Sequence, residues 1–167
     1  MPGTGSPEKV LEMAIGRLMR NSPEIRLRSF AGQAGCEPDV ALLWALIQIY
    51  RQSQVFGSAR LTDIAERAER LRVPRQVIES TFDRLTDRGY ALHTGDQLWL
   101  TQSGVRQVDC ASTALVNRIV DKLATSPTFE GRPDREQVEA ALERIAHRVL
   151  VQRDWDDDNA ELATAAK

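Results

Sequence analysis

Cysteine is scarce in this sequence: Cys36 and Cys110 are the two among 167 residues. They lack CxxC spacing and have no neighbouring histidine, which removes the common zinc and thioredoxin-type patterns. The expectation is two buried free thiols in a reducing cytosol. Aromatics make up only 5% of the chain, while Leu, Ala, Arg and Glu are common, a balance that favours helix. No apolar run approaches the ~20 residues that a membrane span needs. No secretory n-region and h-region opens the chain, so a soluble, cytoplasmic protein with no membrane insertion of its own is expected. Positive charge is not in excess either. Lys and Arg number 22 against 24 Asp and Glu, for a net charge of −2 and a pI near 5.8. A free-standing nucleic-acid binder is usually basic, so any DNA contact here must rest on one local face. Ser, Cys and His are nowhere set out as a nucleophile group, and there is no glycine-rich phosphate loop. The sequence therefore suggests no enzyme, no metal and no cofactor.

What is present is helical patterning. The length suits a single domain with its own core. Residues 1–7, "MPGTGSP", read as a disordered lead. Val10, Leu11, Ala14, Ile15 and Leu18 then recur at helical spacing until Asn21-Ser22-Pro23. A short helix or turn, "EIRLRSFAGQAG", ends at Gly35. Glu37-Pro38-Asp39 reads as a cap for "VALLWALIQIYRQSQ", apolar nearly all round and so the buried central helix. "ARL" at 59–61 is a candidate strand, and Thr62 is the expected N-cap of a helix over 62–71. Pro74 opens the next helix, which runs to Arg88 before Gly89. "YALHTGDQLWLT" is strand, Gly-Asp turn, strand. Gln102–Thr125 is a long amphipathic helix, and Asp134 caps a last one. The predicted organisation is one domain over 8–153, with a core at 39–104 and terminal helices at 8–36 and 105–153. An acidic, Ala-rich tail covers 154–167.

The order helix, short strand, helix, turn, helix, two-stranded wing is that of a winged helix-turn-helix. The stretch "LTDIAERAERLRVPRQVIESTFDRLTDRGYALHTGDQLWLTQSGVRQV" resembles MarR-type regulators over about residues 39–125. The resemblance rests on Leu61-Thr62, Ala65-Glu66-Arg67, Asp83-Arg84-Leu85, Gly89, Leu100-Thr101 and Gly104. It implies a mainly α fold with a small β-wing, flanking dimerisation helices at both ends, and a transcriptional regulator of drug efflux bound to duplex DNA. A second resemblance spans "NSPEIRLRS" through "SPTFEGRPDREQVEAALERIAHRVLVQRDWDDD". It is to the cytosolic winged-helix extension at the C-terminus of actinobacterial major-facilitator drug exporters. It implies an alternative: a transporter module that acts through protein contacts and binds no DNA.

On the regulator reading the base-facing residues are Arg75, Gln76, Glu79 and Ser80. Arg can fork onto guanine and Gln onto adenine. Arg72, Arg84 and Arg88 would touch phosphate or support the helix, and His93 lies on the wing. Ser80 stands where that family often carries Arg, and the wing tip His93-Thr94-Gly95-Asp96-Gln97 holds no Lys or Arg where the family usually has one. Between 60 and 106 there are eight Arg (60, 67, 70, 72, 75, 84, 88, 106) and seven acids (63, 66, 69, 79, 83, 87, 96), a balance of +1. That is a thin footprint for a phosphate surface.

Residues 65–70 repeat Ala-Glu-Arg. Three extra helical residues rotate the downstream chain by about 300° and displace it by about 4.5 Å. A continuous helix would put Ile64, Ala68 and Leu71 on one stripe. The alternative is that the extra residues loop out, and on either course the expected outcome is a fold that survives with a compromised or re-aimed DNA surface.

The remaining constellations read as structural. Glu143 and His147 suit an i, i+4 surface ion pair better than a metal site. The aspartates at 154 and 156–158 lack the Gly and Glu of an EF-hand loop. Trp44, Leu46, Ile47, Ile49 and Tyr50 suit core packing, with a pocket for a small hydrophobic effector as the alternative. The stripe Val138, Leu142, Ile145 and Val149 is expected to pair with Val10, Leu11, Ile15 and Leu18 of a second chain, giving a two-fold homodimer.

Overall fold

The computed structural model describes residues 5–22, 25–29, 31, 35–126, 129 and 131–151. Most of the expected N-terminal lead (1–4) and the whole 154–167 tail lie outside them. Six α-helices and a three-stranded antiparallel sheet are formed by the described residues, and none of the helices is long and apolar enough to cross a membrane.

Helix α1 (Pro7–Asn21) starts where the Ser6 hydroxyl accepts the Lys9 N–H at 3.4 Å, with proline tolerated at the first position. A 3₁₀ turn at Leu27–Ser29 precedes α2 (Val40–Phe56). Asp39 caps α2 as expected, its Oδ1 accepting from the Ala41 and Leu42 N–H groups at 2.9 and 3.3 Å. Gly57, at φ 78°, ends it.

Strand β1 (Ala59–Arg60) leads directly into α3 (Leu61–Arg70). Thr62 is not the N-cap of α3. Its own N–H and hydroxyl donate to the Asp96 carboxylate at 2.9 and 2.5 Å, and the Leu61 N–H donates to the Asp96 carbonyl at 2.8 Å. The helix is thus capped from a distant turn, a partner that local spacing cannot show.

Both Ala-Glu-Arg triplets lie inside α3. Ile64 and Ala68 are buried, but Leu71 is 61% exposed and does not join their stripe. The chain leaves the helix at Leu71, and Arg72 turns into the left-handed region at φ 62°. For a non-glycine residue that conformation costs roughly 1–2 kcal/mol. The Val73 N–H then bonds back to the Ala68 carbonyl at 3.0 Å, closing the turn ahead of α4 (Arg75–Asp87).

Strands β2 (Ala91–Thr94) and β3 (Gln97–Leu100) form a hairpin around Gly95, and β3 is the central strand, flanked by β1 and β2. Ala59, Ala91 and Leu98 point inward and are buried. Helix α5 (Gln102–Ala124) begins at Thr101, whose hydroxyl accepts from the Gly104 N–H and donates to the Gly89 carbonyl. Gly104 is required there, because a Cβ would lie 2.1 Å from the Tyr90 carbonyl oxygen. Helix α6 (Arg135–Val151) starts with a reciprocal capping box between Asp134 and Gln137.

Two apolar clusters result, and α5 runs through both. One gathers Leu42, Leu46, Ile49, Ile64, Leu85 and Leu98 with Val108 of α5. The other gathers Leu11 and Ile15 of α1, Val116–Leu123 of α5 and Val138 of α6. The stripes expected to pair two chains meet one another within this chain. Leu11, Ile15 and Val138 are buried, and Leu18, Leu142 and Ile145 pack against them, all within one chain. Val149 is half-buried, and only Val10, 47% exposed, is left uncovered. Helix α1 of the same chain covers the α6 stripe.

The free-thiol expectation is overturned. Cys36 and Cys110 form a disulfide with a Cα–Cα distance of 5.7 Å. The α2 approach and α5 bring the two thiols together, a juxtaposition that their distance in sequence hid.

Candidate interaction surface

Helix α4 carries most of the residues singled out for DNA. Arg75, Gln76, Glu79 and Ser80 are exposed on its first two turns. Arg75 Nε lies 3.5 Å from Glu79 Oε1, a solvent-exposed i, i+4 pair, so the strongest candidate reader faces a carboxylate on its own helix. Arg72 occupies the strained connector, and His93 is exposed on β2.

The arginines at the far end of α4 are held inside the chain. Arg84 pairs with Asp39, the α2 cap. Burial pushes the Asp39 carboxyl up, but the Arg84 guanidinium and the α2 N–H groups outweigh it and hold it below the usual range. Arg88 Nη1 donates to Glu37 Oε1 at 2.6 Å, and the Tyr90 hydroxyl donates to Glu37 Oε2, also at 2.6 Å. Glu37 is only 3% exposed. Its hydrogen bonds raise the pKa of both donors, which keeps Arg88 charged and Tyr90 protonated. The Glu37 N–H reaches Gln107 Oε1 on α5 at 2.8 Å, one turn from the Cys110 end of the disulfide. Residues 36–39 therefore form a hub that fixes α4 against α2 and α5.

The hairpin offers no cation at its tip. Asp96 is committed to Thr62, and those hydrogen bonds, with Arg60 nearby, hold its carboxyl below the usual range. Its outer face is apolar instead. Leu92 and Trp99 are cross-strand partners, 51% and 41% exposed.

A second buried carboxylate lies at the other end of the molecule. Glu12, on the apolar face of α1, accepts from Arg144 Nε at 2.6 Å and Arg148 Nη2 at 2.7 Å on α6. Arg144 chiefly keeps its carboxyl below the usual range, against the opposing effect of burial. Glu12 was legible as an acid set between Leu11 and Ile15. Glu37 and Tyr90 had no such signal, because their partners lie about fifty residues apart in sequence.

The five residues weighed for an effector pocket belong to the central helix and its packing. Leu46 and Ile49 are buried, and Trp44 and Tyr50 pack against the first cluster. A groove of about 420 Å³ lies elsewhere, between Val10, Met13 and Leu18 of α1 and Leu123 and Phe129. No cluster of three or more metal-ligating side chains occurs among the described residues.

No family model matches the chain, and no solved structure matches it. Two curated proteins do, from two strains of Mycobacterium tuberculosis, each described as an uncharacterized MFS-type transporter. Each is 46% identical over 163 residues, which is 98% of this chain. The chain spans only 23% of the length of these relatives.

Proposed function

We propose that this chain is a cytosolic winged-helix module of an MFS-type transporter, related to the C-terminal extension of drug exporters, and that it acts through protein contacts. The observation that carries the reading is the 46% identity across nearly the whole chain to one part of such a transporter. The arginines support it. Arg84 and Arg88, which a DNA-binding winged helix would turn to phosphate, are held by Asp39 and Glu37. The hairpin tip supports it as well, since its one charged group caps α3. On this reading α3, the turn at Arg72 and α4 keep the helix-turn-helix frame as a scaffold.

The MarR-like regulator is the weaker reading. It retains Arg75, Gln76 and Ser80 as exposed donors on α4. Affinity purification of the tagged chain from detergent-solubilised membranes of its own source distinguishes the two. An MFS-type transporter body is expected to come with it, in the same polypeptide or as a bound partner. Recovery from the soluble fraction alone, with DNA and no transporter, overturns the proposal.

A further inference from the structure

The disulfide and the polar hub occupy one short stretch of chain. Cys36 is bonded to Cys110 of α5, with their Cα atoms 5.7 Å apart. The residues that follow Cys36 hold the far end of α4: Glu37 accepts from Arg88 and Tyr90, and Asp39 from Arg84. The Glu37 N–H adds a link to Gln107, one turn before Cys110 on α5. Residues 36–39 belong to no helix or strand, so the bridge and these side-chain bonds do much of the holding. The two sulfurs differ in access. Cys36 is 3% exposed, whereas Cys110 is half-buried beside the exposed Asp109.

We infer that Cys36–Cys110 is a reversible redox switch that sets how firmly α4 is held to α2 and α5. A permanent bridge does not suit the cytosolic module proposed above. Cytosolic pools keep thiols reduced, and the disulfides that form there are usually catalytic or redox-sensing. This pair is 74 residues apart and lacks the CxxC spacing of a catalytic dithiol, which leaves sensing. Reduction is thiol–disulfide exchange with a dithiol protein of the thioredoxin class. Its thiolate attacks Sγ of Cys110, the reachable sulfur. The Cys36–Cys110 bond breaks, and Cys36 leaves as a thiolate that takes up a proton. The second thiolate of the reductant attacks the mixed disulfide and displaces Cys110, which is protonated in turn. Two electrons and two protons pass to the chain, and the reductant leaves as its own disulfide. Exchange with a small disulfide runs the same steps backwards. Reduction removes the covalent tie of residues 36–39 to α5, so Glu37 and Asp39 hold Arg88, Tyr90 and Arg84 from a looser base. The exposed face of α4, with Arg75, Gln76 and Ser80, then shifts against the rest of the chain. The inference rests on the transporter reading above, which puts the bridge in a reducing compartment.

The test incubates the full chain with a thioredoxin-type protein and its reductase, and counts free thiols by maleimide mass tagging. Both cysteines are expected to label in the folded chain. Labelling should vanish once the reductant is removed and oxidised glutathione added. Hydrogen exchange then compares the two states. Amides of 84–90 should exchange about ten-fold faster in the reduced chain, with a smaller change over 138–150 in the terminal bundle. Cys110→Ser should match the reduced chain under both conditions, with circular dichroism to check its fold. The comparison of the two wild-type states stands even where that variant fails to fold. A bridge that yields only in urea is a structural staple and overturns the inference. So does reduction that leaves 84–90 unchanged, or that speeds exchange equally everywhere, which is a loss of overall stability. None of these results touches co-purification with the transporter, so the two readings fail separately.

Discussion

Glu37 and Glu12 are both carboxylates shut between helices, and each accepts from two side chains further along the chain. Their surroundings differ. Around Glu37 stand a disulfide, the Gln107 amide and the Asp39–Arg84 pair, so polar and covalent links hold α2, α4 and α5 together. Around Glu12 there is an apolar stripe from three helices and little else. The terminal half closes like an ordinary helical bundle. The central half is closed in part by Arg84 and Arg88, two of the arginines weighed as phosphate contacts. Of the eight arginines between 60 and 106, Arg70, Arg75, Arg84 and Arg88 are ion-paired within the chain. The partners of Arg84 and Arg88, Asp39 and Glu37, lie outside that span, so the sequence count of +1 overstates the charge available to phosphate.

Breaking the disulfide should have the largest effect. It closes a loop of 74 residues, for which the chain-entropy estimate is about 4 kcal/mol. Urea unfolding of Cys110→Ser, or of the chain in reductant, should show a loss of that order. Unchanged midpoints would mean that the hub holds without it.

Glu37→Ala should come next, at about 2 kcal/mol, discounted because Arg88 is half-exposed and can turn to water. Glu37→Gln should recover part of the loss through the Tyr90 hydrogen bond, which a calorimetric melt can resolve.

The terminal half should show itself in acid. The Glu12 carboxyl lies below its ordinary 4.5 in the folded chain, so the folded state binds fewer protons there than the unfolded one. Its contribution is complete above pH 4.5 and is lost as pH falls through the lower folded value. Asp39 adds the same sign from the central half, below its ordinary 3.8. Glu12→Gln should flatten the acid limb of the stability curve, and an unaltered limb would remove Glu12 from the account.

Asp96→Ala should have the smallest effect, lowering Tm by about a few degrees through the lost distant cap of α3.

Much of the fold was legible. Apolar spacing marks α1, α2, α5 and α6, the Gly-Asp turn marks the hairpin, and Leu-Thr-x-x-Gly marks the tight start of α5 that Gly104 permits. The features that local patterns misplace are those made by contacts far apart in sequence. Thr62 looks like a cap until Asp96 is seen across the turn, and Leu71 looks like core until Arg72 turns left-handed. Cys36 and Cys110 meet only once α5 packs on α2. Among the candidate DNA residues the sequence placed Arg75, Gln76 and Ser80 correctly on an exposed helix face. It could not show that Arg84 and Arg88 were already engaged.

The central claim is the proposal that this chain acts through protein contacts at a transporter and does not bind DNA, and duplex binding tests it most directly. Fluorescent duplexes, a random pool and the upstream region of the chain's own gene, are titrated with folded protein at two salt concentrations. The account predicts no sub-micromolar binding at either. Sub-micromolar binding that falls steeply with salt, and is lost in Arg75→Ala and Gln76→Ala, would contradict it.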